Sequence, residues 1–203
     1  MDKDNILNFW FDAAQGEQPL SDLEINQQQA ALWWKKDPHT DTSIRQRFEP
    51  TLKALLRGEH NHWLQDAHGR LAAIIVLDQF SRNMYRNSAL SFTQDSLALH
   101  WCLEGLRLDH DKQLRPIERV FFYMPLEHAE SPQMQALCLN KFQQLKADSP
   151  DSFQETAENF VQFAQKHKVI IDRFGHFPHR NDILGRDSSD EELEFLKQPG
   201  SGF

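Results

Sequence analysis

The stretch AAIIVLDQF, residues 72–80, decides between an all-helical chain and a mixed one, because it is apolar enough to form a buried strand. It also continues as a helix. Leu71, Ile75, Asp78, Arg82 and Tyr85 are spaced 4, 3, 4 and 3 residues apart, which defines one helical face, and Ile74 and Leu77 widen its apolar side. No segment alternates at period two with β-branched residues, and helical patterns lie on both sides. The expectation is a buried central helix that carries Asp78 and Arg82 at i and i+4, the acid-first order that suits an ion pair.

Toward the N-terminus, Asp4 suits the cap of a short helix through Ala14 that turns Ile6, Leu7, Trp10 and Phe11 inward, with Gly16 to Pro19 breaking it. A second helix from Ser21 ends at Trp33 and Trp34, with Lys35 and Lys36 at its negative end and Pro38 as a stop. A third runs from Asp41 through Ile44, Phe48, Leu52 and Leu55 to Gly58. Trp63 belongs to a short piece before Gly69. Toward the C-terminus, Ser91 and Gln94 read as a capping box for a helix reaching Gly105, and Pro116 opens another that Pro125 ends or kinks. Ser131 and Pro132 start a helix through Met134, Leu137, Cys138, Phe142 and Leu145.

The clearest periodicity is Phe153, Ala157, Phe160, Ala164, His167, Ile171 and Phe174, one seam that Gly175 closes. Ser188 with Glu191, or Ser189 with Glu192, then caps a final helix, and residues 198–203 are expected to be disordered. The fold class is therefore all-α, a single domain over residues 1–203 of antiparallel helix pairs without regular sequence repeats.

Composition narrows the function. With 39% apolar and 11% aromatic residues the chain can build a full core, and its net charge of −8 offers no basic face for a nucleic acid. The first residues, MDKDNILNFWFDAA, lack the basic flank of a signal peptide, and the longest apolar run, residues 71–77, is too short to span a bilayer. Cys102 and Cys138 sit among apolar neighbours and read as reduced core thiols, which points to the cytoplasm, with no nucleic-acid or membrane partner.

Three polar motifs stand out against this scaffold. On the central helix Arg82 and Asn83 follow Asp78, and a planar guanidinium suits a carboxylate or phosphate. At a junction between two helices, EHAE gathers Glu127, His128 and Glu130, a base and two acids suited to proton transfer if they face a cleft and to helix capping if they face water. It is not a zinc-protease motif, because its imidazoles are not paired one turn apart. The loop HFPHRN then supplies His176, His179, Arg180 and Asn181, and Arg180 beside the histidines argues against a cation. His167 reads as a core histidine satisfied by hydrogen bonds. The expectation is an anion-recognising cluster with no metal and no cofactor.

Together LDQFSRN (residues 77–83), PLEHAE (125–130), RFGHFPHRNDILGR (173–186) and SSDEELEFL (188–196) resemble the bacterial domain of unknown function 924 family. The four motifs keep their order over most of the chain. The resemblance implies a tetratricopeptide-like fold of paired helices and brings no activity. It matches Asp78, Gln79, Arg82, Asn83, Glu127, His128, Glu130, His167, Phe177, Pro178, His179, Arg180 and Asn181, and departs at His176, more often Arg in the family, and at Ser81, often Pro.

Two functional readings follow. In the first, a cleft binds a small anionic molecule through Asp78, Arg82, Asn83, His179, Arg180 and Asn181, with His128, Glu127, Glu130 and His179 as candidate catalytic groups. In the second, a tetratricopeptide-like groove holds a protein or peptide partner and the polar motifs form a structural network.

Overall fold

Leu71 to Leu77 are all fully buried, and the chain through them is helical. The computed structural model describes residues 2–12 and 19–202, and among these there is no strand. Asp66 caps α4 (Ala67–Ile75) by accepting from Gly69 N at 2.8 Å. The helix then widens into one π-helical turn, Val76–Phe80, and tightens again as α5 (Ser81–Met84). The π turn falls on LDQF, the segment that bears Asp78; such bulges commonly mark functional positions.

The other long helices precede and follow this segment. They are α1 (Lys3–Phe11), α2 (Asp22–Trp34) and α3 (Pro38–Leu56) before it, and α6 (Asp95–Arg107), α7 (Pro116–Glu127), α8 (Pro132–Asp148) and α9 (Gln154–Phe174) after it. α4 packs on α1, α6 and α7. Phe121 of α7 meets Trp33 with ring centroids 4.6 Å apart and Trp10 at 5.4 Å, while Trp33 Nε1 donates to Trp10 O at 2.9 Å. That aromatic knot ties α1, α2 and α7; truncating one of its rings to Ala would cost about 3–5 kcal/mol.

The second half is built of antiparallel hairpins. Tyr123 of α7 faces Phe142 of α8 at 5.7 Å while Arg119 reaches Asp148 at 3.0 Å, so the two helices run in opposite directions. Likewise Phe142 stacks on Phe160 at 6.1 Å and Lys146 pairs with Glu158 at 2.8 Å, reversing α9 on α8. Gly175, at φ 75°, ends α9 in the left-handed conformation. The chain then turns through Pro178–Arg180 into α10 (Asn181–Leu184) and α11 (Asp190–Leu196). A small apolar cluster of Ile170, Ile171 and Phe177, with Phe174 and Phe195 against it, seats this tail.

Several local expectations shift. The first helix is capped by Asp2, not Asp4, and ends at Phe11; residues 13–18, where Ala14 and Gly16 fall, lie outside the described residues. Pro38 is the first residue of α3, capped by Asp37, because its missing N–H costs nothing there. Ser91 and Gln94 form no capping box: Ser91 Oγ donates to Ser88 O at 2.6 Å and α6 begins uncapped at Asp95. Pro125 lies inside α7, in its last turn. Of the two S-x-x-E options, Ser189 with Glu192 forms the capping box. Residues 198–202, expected to be disordered, close a turn in which Ser201 Oγ donates to Leu196 O at 3.1 Å. Among the described residues no helix is long and apolar enough to cross a membrane.

Candidate functional site

Asp78 is completely buried at the middle of the π turn, and three side chains converge on it. Arg82 Nη1 lies 3.1 Å from Asp78 Oδ1 and also donates to the Asp78 carbonyl at 2.8 Å. His128 Nδ1 lies 2.8 Å from the same Oδ1, and Gln79 Nε2 donates to Oδ2. Burial pushes the Asp78 carboxyl toward the neutral form, but Arg82 and His128 outweigh it and hold the group well below the ordinary carboxylate range. A carboxylate ionised in this setting fixes His128 as the Nδ1–H tautomer and leaves Nε2 with its lone pair. Burial, with Arg82 beside it, also keeps the His128 pKa below its usual 6.5.

Arg82 is saturated. Besides Asp78 it makes a two-pronged pair with Asp95, at 2.9 and 3.0 Å. Arg180 differs. It is only 6% exposed, yet makes one hydrogen bond, from Nη1 to His128 O at 3.1 Å; Asp95 Oδ2 is 3.7 Å away, and its Nε is buried without a partner. Two rings pack against its guanidinium, with Cζ 4.7 Å from the centroid of Phe92 and 4.5 Å from that of Phe177. Burial and the neighbouring Arg82 pull its pKa down to about 10, so it is still a cation at neutral pH.

These groups border a cleft of about 380 Å³ between the start of α6, the α7–α8 junction and the Pro178–Arg180 turn. His128, Arg180, Asp95 and Glu130 reach it from the polar side, and Phe92, Leu99, Pro125 and Leu184 from the apolar side. His128 is partly exposed here, and its Nε2 has no hydrogen-bond partner among the described residues.

The other candidates take structural positions around the cleft. Glu127 is buried with its Oε1 2.9 Å from His167 Nδ1, which also lies 2.9 Å from Phe163 O. That pair locks α7 to α9, and the His167 ring packs edge-on against Phe177. Glu130 accepts from Arg186 at 2.7 and 3.0 Å and from Phe177 N at 2.9 Å, which fastens the HFPHRN loop to the EHAE junction. Asn181 is buried and donates to Ser188 Oγ at 3.0 Å, holding the tail. His176 Nε2 pairs with Glu192 of α11.

Two placements differ from expectation. Asn83 does not face the cleft: its Nδ2 donates to Asp41 Oδ1 at 2.9 Å, beside the Arg86–Asp41 pair. The helix rotates by about 100° per residue, so the fifth residue after Asp78 points elsewhere. His179 borders a second recess of about 540 Å³, with Arg186, Asp187 and Leu196, so the two histidines expected in one pocket open on different sides of the loop. Burial and Arg180 lower its pKa to about 4.

Sequence reasoning missed Asp95, Phe92 and Arg186. Arg186 ends the motif RFGHFPHRNDILGR and could have been included, whereas Phe92 and Asp95 lie in a stretch read only as a helix start. Among the described residues no group of three His, Cys, Asp or Glu is placed to hold a metal ion.

A family model for a bacterial protein of unknown function, DUF924, matches residues 6–200. The chain is also similar to a solved structure of a protein of unknown function from Agrobacterium tumefaciens, with 32% sequence identity, a TM-score of 0.76 and 96% of each chain covered. No curated protein matches it. With the family model matching nearly the whole length, the chain belongs to the DUF924 family of bacterial proteins.

Proposed function

We propose that this protein binds a small anionic molecule in the cleft between Arg180 and His128 and moves a proton on it. The observation that carries this reading is Arg180, a buried cation with five donors and one hydrogen bond, bordering a cleft. Leaving such a group underused costs free energy unless a ligand completes it. An anionic group seated on the open edge of Arg180 would supply the missing acceptors.

The Asp78–His128 pair supports the chemical half of the reading. A buried carboxylate that holds Nδ1–H and an Nε2 turned to a cleft make a neutral imidazole suited to accept a proton near neutral pH. Asp78 orients the ring and would stabilise the imidazolium once formed. Glu127, Glu130 and Arg82 are committed to internal partners, so their part is to hold these two groups in place. We further infer that the antiparallel hairpins stack in the tetratricopeptide-like manner and that the protein works in the cytoplasm, for which its two free buried cysteines argue.

A second reading has its own observation. Asp78, Arg82, Glu127 and Glu130 are all internally bonded, as expected if the motifs form a structural network that fixes helix packing. A melting screen of small anions on the wild type and Arg180→Gln separates the two. An anion that raises the wild-type melting point by several degrees and leaves the variant unmoved supports binding. A folded variant that responds to every anion as the wild type does would remove the binding reading and leave the network.

A further inference from the structure

Resting on that reading, the geometry points to a ligand class: a singly charged carboxylate with an apolar body, and not a phosphate ester, a polyphosphate or a polycarboxylate. Charge is the first argument. Arg82 is paired with Asp78 and Asp95 and Arg186 with Glu130, whereas the one carboxylate in ion-pair reach of Arg180 among the described residues is Asp95, at 3.7 Å and already clamped on Arg82. Arg82 and Arg186 are each engaged two-pronged by a carboxylate, and although Arg186 Nε is also buried without a partner, that residue lines the other recess, which leaves Arg180 as the cleft-lining guanidinium that no carboxylate clamps. One negative charge is welcome there. A second charge on the same ligand would lie in a small cleft bordered by Asp95 and Glu130 with no uncommitted guanidinium to meet it.

Shape is the second argument. Phe92 and Phe177 both pack against the Arg180 guanidinium, with ring centroids 4.7 and 4.5 Å from its Cζ, and restrict a ligand to the N–H groups they leave uncovered. An edge of paired N–H groups matches the two oxygens of a planar carboxylate. Besides the polar groups, Phe92, Leu99, Pro125 and Leu184 line the cleft and offer apolar surface that a hydrocarbon or aryl group would bury. At about 380 Å³ the cleft sits at the small end of the roughly 300–1,000 Å³ usual for ligand sites.

Calorimetric titration with phenylacetate, hexanoate, phenylethanol, citrate and pyrophosphate tests this on the wild type, Arg180→Gln and Leu99→Trp. The second variant fills the cleft from its apolar wall without touching the arginine. The expected result is binding of phenylacetate and hexanoate, at least tenfold weaker in both variants, and no binding of the uncharged phenylethanol or of citrate and pyrophosphate. Should Arg180→Gln fail to fold, Leu99→Trp alone decides. Pyrophosphate or citrate binding that Leu99→Trp or Arg180→Gln abolishes, with no carboxylate of either body bound, would overturn the ligand class and keep the anion site. Absence of any anion binding sensitive to either variant would overturn the anion site and this inference with it.

Discussion

His128 Nδ1 lies 2.8 Å from Asp78 Oδ1, a contact that joins the end of α7 to the π turn across 50 residues of sequence. It sets the tautomer of the histidine that borders the cleft. Burial and Arg82 lower the His128 pKa, and Asp78, which raises it, does not fully compensate. A nitrogen-15 NMR titration should therefore find His128 neutral at pH 7, protonated on Nδ1, with a midpoint below 6.5. A midpoint above 7 would mean that Asp78 dominates and that His128 is an acid in the resting protein.

Removing Asp78 should be far more costly than removing Asn83. Asp78→Ala leaves Arg82 and His128 buried around a missing charge, and breaking a buried pair in this way costs about 3–5 kcal/mol. Asn83→Ala removes one partly buried hydrogen bond to Asp41, worth about 0.5–1.5 kcal/mol. Urea denaturation of both variants measures the difference; similar losses would contradict the assignment of Asp78 as the hub.

The sequence makes the hub legible but not its surroundings. Apolar spacing on both sides of residues 72–80 was enough to choose helix over strand, because strands of that length would have needed flanking period-two patterns. The i, i+4 pair of Asp78 and Arg82 followed directly. The π turn did not, since one inserted residue leaves an i, i+4 contact intact and changes only the hydrogen-bond ladder. Asp95 and Phe92 were invisible for another reason. Their meaning comes from Arg180, which lies far along the chain, and such pairings have no local signature. Asn83 was misplaced because adjacency to Arg82 in sequence is not adjacency on a helix.

Acid should weaken the fold through His179. Its pKa falls from 6.5 to about 4 because burial and Arg180 oppose the charged form. The unfolded chain then binds more protons than the native one between these values, so stability is complete above about pH 6.5 and declines as pH falls toward 4. The full effect is at most about 3 kcal/mol. His179→Gln should flatten the decline in melting temperature over that window; an unchanged slope would show that other groups carry it.

Gly69→Ala should be poorly tolerated although Ala is the better helix former. A methyl group there would overlap the carbonyl oxygen of Trp63, a backbone atom that cannot swing away. Overpacking of this kind costs about 1–3 kcal/mol and outweighs the roughly 1 kcal/mol gained in helix propensity. A lowered melting temperature is the expected result, and a raised one would mean that the turn before α4 yields easily.

The most direct test of an anion site at Arg180 is the side-chain Nε–Hε NMR resonance of that residue during titration with phenylacetate. Its Nε is buried and unpartnered in the free protein, so binding on the guanidinium edge should shift this resonance in a saturable way and slow its exchange with water. The Arg82 resonance, already held by Asp78 and Asp95, should move much less. An Arg180 resonance unmoved by every anion that stabilises the protein would contradict the account.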